Sequence, residues 1–116
     1  MPLNAKYALT APAYNSVFSN PDIKLKEGMF FLIGKKNLVQ IPRIGIKIKK
    51  RDFKLAVERN ALKRIIKVSF KSVSHKLPAF DYVIIVNGNK THKEQNKERL
   101  KELWQKCLNV GQWNLF

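Results

Sequence analysis

Ala56-Val57-Glu58-Arg59-Asn60-Ala61-Leu62-Lys63-Arg64-Ile65-Ile66-Lys67 is the stretch whose reading orders the rest of the chain. Its apolar residues recur at helical rather than strand spacing. The same period runs on through Ser69, Phe70 and Val73 and back to Leu55, which predicts a helix over Phe53–Val73. At about 100° per residue, Arg59, Asn60, Lys63, Arg64, Lys67 and Lys71 fall within roughly 140° of arc, and the apolar residues take the opposite side. One face is suited to burial. The other offers five cations and an amide with no carboxylate among them.

Such segregation is costly in isolation. Like charges four residues apart, as in Arg59–Lys63, Lys63–Lys67 and Lys67–Lys71, destabilise a helix by a few tenths of a kcal/mol each. A partner supplying phosphates offsets that repulsion and releases counterions. The feeder residues Lys47, Lys49, Lys50, Arg51 and Lys54 extend the patch, with Arg forks suited to bidentate phosphate contact and Lys to point charges. Asn60 has two readings of equal weight, a contact to a base edge or 2′-hydroxyl, or a cap on neighbouring backbone.

The whole chain agrees with this helix. Its 116 residues carry a net charge of +15, and residues 35–76 hold 14 Lys and Arg against Asp52 and Glu58, a local +12. A block this dense inside a globular pattern reads as a surface built for a polyanion, RNA or DNA first and an acidic membrane surface second. The hydrophobic content of 45% with seven Phe supports a core and argues against disorder.

Working outward, Tyr7–Asn20 carries Ala13, Tyr14, Val17 and Phe18 at helical spacing. Thr10 is a candidate N-cap, Pro12 sits near the first turn and Asn20-Pro21 is a stop. Ile23–Lys26 alternates, Met29–Ile33 is an apolar run of strand length and Arg43–Ile48 alternates. Gly34–Pro42 is expected to join two neighbouring antiparallel strands. Asp81–Val86 reads as a strand buried on both faces. Glu94–Leu108 places Leu100, Leu103, Trp104, Cys107 and Leu108 on one helical stripe and interleaves Lys97, Lys101 and Lys106 with Glu94, Glu98 and Glu102, as a solvated face does. The expectation is one α+β domain over residues 1–116, an α-β-β-β-α-β-α sandwich on a four-stranded sheet.

Protein-borne catalysis finds little support. Asp22, Glu27, Asp52, Glu58 and Asp81 occur singly, His75 and His92 lie in expected loops, and no phosphate-cradling Gly loop or Ser/Cys nucleophile motif occurs. The single Cys107 excludes an intrachain disulfide and a Cys-based metal cluster. No catalytic and no metal residue is assigned. No secretory leader is expected in Met1–Asn20, and no apolar run has membrane-spanning length, so a cytoplasmic location is expected.

The Arg59-Asn60-x-x-Lys63-Arg64 pattern resembles the basic helix of the bacterial ribonuclease P protein component family. Further segments follow in that family's order: Ala13–Phe18, Met29–Leu32, Arg43–Ile46 with Lys49-Lys50, Phe80–Ile85 and Leu100–Leu108. The chain departs from the pattern in having Asp52-Phe53-Lys54-Leu55 where the family commonly has a Gly-Asn pair, and Ala61 and Lys67 where Arg is common.

The resemblance implies a left-handed β-α-β crossover around the basic helix, against the usual right-handed rule. It implies RNA contacts by Arg59, Asn60, Lys63, Arg64 and Lys67, beside Lys49, Lys50 and Arg51, and a cleft of Tyr14, Phe18 and Phe31 for the 5′ leader of precursor tRNA. From the residues alone these three aromatics suit core packing equally well. The implied activity is that of a ribonucleoprotein endonuclease. Its catalytic RNA subunit would cleave the leader with Mg²⁺ held mainly by RNA, and the protein would be a non-catalytic cofactor without membrane or small-molecule partners. The alternative is a ribosomal or general structural RNA-binding protein.

Overall fold

Phe80–Val86 forms a strand in which only Ile85 is not fully buried. Such a strand needs neighbours on both edges and cover on both faces, and it receives them. The computed structural model describes residues 7–88 and 93–113. Its elements are α1 (Ala11–Ser19), β1 (Ile23–Glu27), β2 (Phe30–Lys36), β3 (Arg43–Ile48), α2 (Ala56–Val73), a 3-10 turn (Ser74–Lys76), β4 (Phe80–Val86) and α3 (Lys93–Trp113). This is the expected α+β order. The four strands make one mixed sheet in the order β1-β2-β4-β3.

One expectation about the sheet is corrected. β2 and β3 are not antiparallel neighbours, because β4 lies between them, antiparallel to β2 and parallel to β3. The most continuously apolar strand takes an interior position, and β3 is displaced to the edge. The connection from β3 to β4 is therefore a β-α-β crossover carried by α2.

The two sheet faces are dressed differently. Register rows such as Leu32, Ile84 and Ile46 point to one face. There Leu62, Ile66 and Phe70 of α2 and Leu100, Leu103, Trp104 and Cys107 of α3 close a single core. Trp104 meets Phe70 at 5.7 Å and Tyr82 edge-on at 5.8 Å, and its indole N–H donates to Ser69 Oγ at 2.9 Å. On the opposite face, fully buried Val17 of α1 and Val83 of β4 stand outside that core. α1 covers this face over β2 and β4 and leaves Phe31, Ile33 and Ile85 partly open.

α1 begins directly after Thr10, where the N-cap was expected, and α2 begins later than its periodicity suggests. Tyr7 lies in a 3-10 turn, and Ala8 and Leu9 after it are not helical. Ala8 bridges Ile44, and Leu9 N–H donates to Ile44 O at 3.1 Å, which blunts the open edge of β3. Thr10 stands at the N-cap of α1, but its side chain makes no cap hydrogen bond. α2 starts at Ala56, not Phe53: Asp52 and Phe53 N–H both turn back to Lys49 O, and the Phe53 ring is sunk in the core before the helix begins. Leu55, expected on the buried face, is 62% exposed as the residue preceding that helix.

Candidate nucleic-acid interface

Leu62, Ile66 and Phe70 fix the rotation of α2 by their burial. The opposite side then carries Asn60, Lys63, Arg64, Lys67 and Lys71 into solvent. Among the described residues no carboxylate forms an ion pair with Lys63, Arg64 or Lys67. The expected cationic strip is thus present in space.

Arg59 differs from the others. It is half-buried, and one guanidinium nitrogen donates to Phe53 O at 2.6 Å and to Lys54 O at 3.0 Å. It holds the turn that leads into α2. Lys49, Lys50 and Arg51 are exposed on that turn. Asp52 fastens it to the end of β4 by accepting from Gly88 N–H at 3.3 Å. Asn60 makes no cap on neighbouring backbone among the described contacts, so its amide faces outward.

The strip meets α1 around Gly45. Tyr14 reaches over this glycine, and its hydroxyl accepts from Ile46 N–H at 3.0 Å on the edge of β3. A Cβ on Gly45 would run into the Tyr14 ring. Lys63 and Lys67 line the same hollow, about 270 Å³ in volume, with Tyr14, Ile44, Gly45 and Ile46. The aromatic helix and the cationic helix therefore share one depression.

Phe18 lies four residues on from Tyr14 along α1 and is 41% exposed, with the Lys47 ammonium 5.1 Å from its ring centre. Phe31 is partly open on the same sheet face, with Lys26 at 5.1 Å. None of these three aromatics belongs to the main core; Tyr14 packs on Gly45, and Phe18 and Phe31 are partly open. Lys24 and Lys26 pair across from Ile33 and Phe31, and Lys35 alternates onto the same face. These lysines were missed as part of a site. The signal was the alternation Ile23-Lys24-Leu25-Lys26, which puts both lysines on the face away from the core.

Two sets of ion pairs are structural. Arg43 forms a bidentate pair with Asp81 at 2.8 and 2.9 Å, and Asn37 donates to the same carboxylate at 2.9 Å. With side chains only 17% and 10% exposed, the pair anchors the loop before β3 and is withdrawn from solution. Glu27 ties α3 to the sheet through Arg99 at 2.8 Å and Lys106 at 2.6 Å. Those hydrogen bonds, Lys106 first, hold its carboxyl below the usual range.

Burial pushes the Cys107 thiol up to about 12, which suits packing rather than nucleophilic attack. His75 is exposed in the 3-10 turn; His92 and the side chains of Glu94 and Trp113 lie outside the described residues. No three His, Cys, Asp or Glu side chains gather into a metal-binding group among the described residues. No helix is long and apolar enough to cross a membrane there.

Known proteins share this arrangement. A family model described as Ribonuclease P matches residues 3–108. The ribonuclease P protein component of Idiomarina loihiensis is 36% identical over 100 residues, covering 84% of this chain and 80% of the relative. That of Haemophilus influenzae is 32% identical over 106 residues, covering 90% and 88%. In fold, the chain is similar to the Staphylococcus aureus RNase P protein with a TM-score of 0.78 at 20% identity, over 86% of this chain and 94% of that one. It is also similar to the RNase P protein of Thermotoga maritima, with a TM-score of 0.60 at 25% identity over 84% and 87%. With the basic helix, the strand order and the sequence in agreement, the chain belongs to the bacterial ribonuclease P protein component family.

Proposed function

We propose that the chain binds the catalytic RNA of ribonuclease P along α2 and holds the 5′ leader of precursor tRNA in the cleft under α1. Family membership supplies the coarse role, a component of a ribonucleoprotein endonuclease in tRNA 5′ maturation. The observation that carries the finer reading is the hollow shared by Tyr14, Lys63 and Lys67. An unpaired strand crossing it meets aromatic faces and cations together, and needs no base-specific contact.

Arg59, Asn60, Lys63, Arg64 and Lys67, with Lys49, Lys50 and Arg51, would engage RNA backbone. Tyr14, Phe18 and Phe31 would stack unpaired leader bases, each worth about 1–3 kcal/mol. The lysines around them screen the phosphates between those bases. Chemistry stays with the RNA subunit. Mg²⁺, when bound to RNA phosphates, would activate water for phosphodiester hydrolysis; among the described residues the carboxylates of this chain do not gather into a site for it. The protein's part is to position precursor against that RNA and to reduce repulsion between two polyanions. Action in the cytoplasm, with residues 1–116 serving as one RNA-binding unit, completes the reading.

Reconstitution tests it. The purified chain added to ribonuclease P RNA at low Mg²⁺ should restore leader cleavage and leave a 5′-phosphate on mature tRNA. The chain alone should not cut. Tyr14→Ala and Phe18→Ala should each reduce the preference for precursor over mature tRNA about tenfold, the equivalent of about 1.4 kcal/mol. Failure to restore cleavage would overturn the leader- and RNA-binding roles proposed for α1 and α2.

A further inference from the structure

α3 carries a charge division that its interleaved sequence hides. Arg99 and Lys106 turn toward Glu27 on the β1 side. Lys97 and Lys101 turn the other way, toward α2, where with Arg64 they rim a groove of about 570 Å³. Its apolar lining comes from Ile65, Val68 and Val73, and Val68 is 57% exposed. The polar floor is already satisfied, since Ser69 Oγ donates to Ile66 O and accepts from Trp104 Nε1. Among the described residues no carboxylate lines the groove, and neither Lys97 nor Lys101 has an ion pair.

We infer that this α2–α3 groove is a second RNA-contact site, taking an unpaired segment of the RNA subunit with a base against Val68 and Ile65 and flanking phosphates on Arg64, Lys97 and Lys101. Charge complementarity selects an anionic occupant. Arg64 belongs both to the groove and to the α2 strip, so the two surfaces are continuous. α2 stands between the two sites, with Lys63 and Lys67 on the hollow shared with α1 and Arg64 and Val68 on the groove, so a leader held under α1 does not occupy the groove, and the RNA subunit is the polyanion that remains. This rests on the RNA-binding role proposed above, and it adds that α2 is gripped along both flanks.

The test uses the full chain and the intact RNA subunit without substrate. Lys97→Ala/Lys101→Ala should weaken binding about tenfold and lower the salt slope by about two units if two phosphate contacts are lost. Lys36→Ala/Lys76→Ala removes the same charge from exposed positions elsewhere and should change affinity far less. A photo-crosslinker on Val68→Cys, selective because Cys107 is fully buried, should label the RNA subunit. If both lysine pairs act equally, or the crosslinker finds no RNA while Lys63→Ala still weakens binding, the groove is not an RNA site. The RNA-binding role would then survive, and an acidic protein helix would become the candidate occupant. If Lys63→Ala also has no effect, the role proposed for α2 itself fails.

Discussion

Arg59 and Arg64 share one helix and one charge but differ in what their guanidinium groups already hold. Arg59 is committed to two backbone carbonyls of the incoming turn, whereas Arg64 lines an open groove. Arg59→Ala should therefore destabilise the protein by about 1–3 kcal/mol, because the carbonyls lose a charged donor. Arg64→Ala should leave the urea midpoint nearly unchanged and flatten the salt dependence of RNA binding by about one unit. A reversed pattern would contradict the division. Gly45 makes a related point about close approach. It lies under the Tyr14 ring, so Gly45→Ala should cost about 1–3 kcal/mol through overpacking and push Tyr14 out of the shared hollow. Thermal unfolding measures the first effect, and precursor over mature tRNA affinity measures the second. A variant with unchanged melting and unchanged discrimination would show that the Tyr14 position is not set by this contact.

Among the elements, α3 is held at its polar edge by Glu27, with Arg99 and Lys106 closing on one carboxylate. The Glu27 pKa is lowered from 4.5 in the folded protein. Its contribution to stability is therefore complete above about 4.5 and lost as pH falls through the lower folded value. Glu27→Gln should make the protein less stable at neutral pH and flatten its acid-side decline below pH 4.5, read from urea midpoints across pH 6 to 3. An equally steep decline would place the acid sensitivity elsewhere. The staple also marks where sequence stops being informative. Helical periodicity located α2 and α3 because each has a buried stripe: Leu62, Ile66 and Phe70 in one, Leu100, Leu103, Trp104 and Cys107 in the other. It misplaced the start of α2, since Phe53 continues the apolar pattern but is buried from a turn. The position of β4 between β2 and β3 is a non-local choice, visible in Phe80–Val86 only as a demand for burial. The strip on α2 was legible for the same reason its buried face was. The withdrawal of Arg43 into Asp81, the anchoring by Arg59 and the division of the α3 lysines depend on partners distant in sequence.

For the whole molecule, +15 on 116 residues is a standing repulsion that folding must overcome. The α2 strip concentrates it: Lys63 and Lys67 stand one turn apart with no acidic ion-pair partner among the described residues. If the strip is kept for binding rather than for folding, relieving it should separate the two properties. Lys63→Ala/Lys67→Ala should raise low-salt stability by a few tenths of a kcal/mol for each like-charge pair removed. The same change should weaken RNA binding and lower its salt slope by about two units. Added salt should stabilise the wild-type protein more than the variant, because shortening the screening length to about 8 Å at 0.15 M weakens the repulsion between lysines on neighbouring turns. Thermal unfolding at low and moderate salt, beside RNA titrations in the same buffers, decides the matter. A double variant that is less stable than wild type at low salt would mean that these lysines support the fold through their aliphatic stems, and that their segregation on α2 is not a cost carried for RNA.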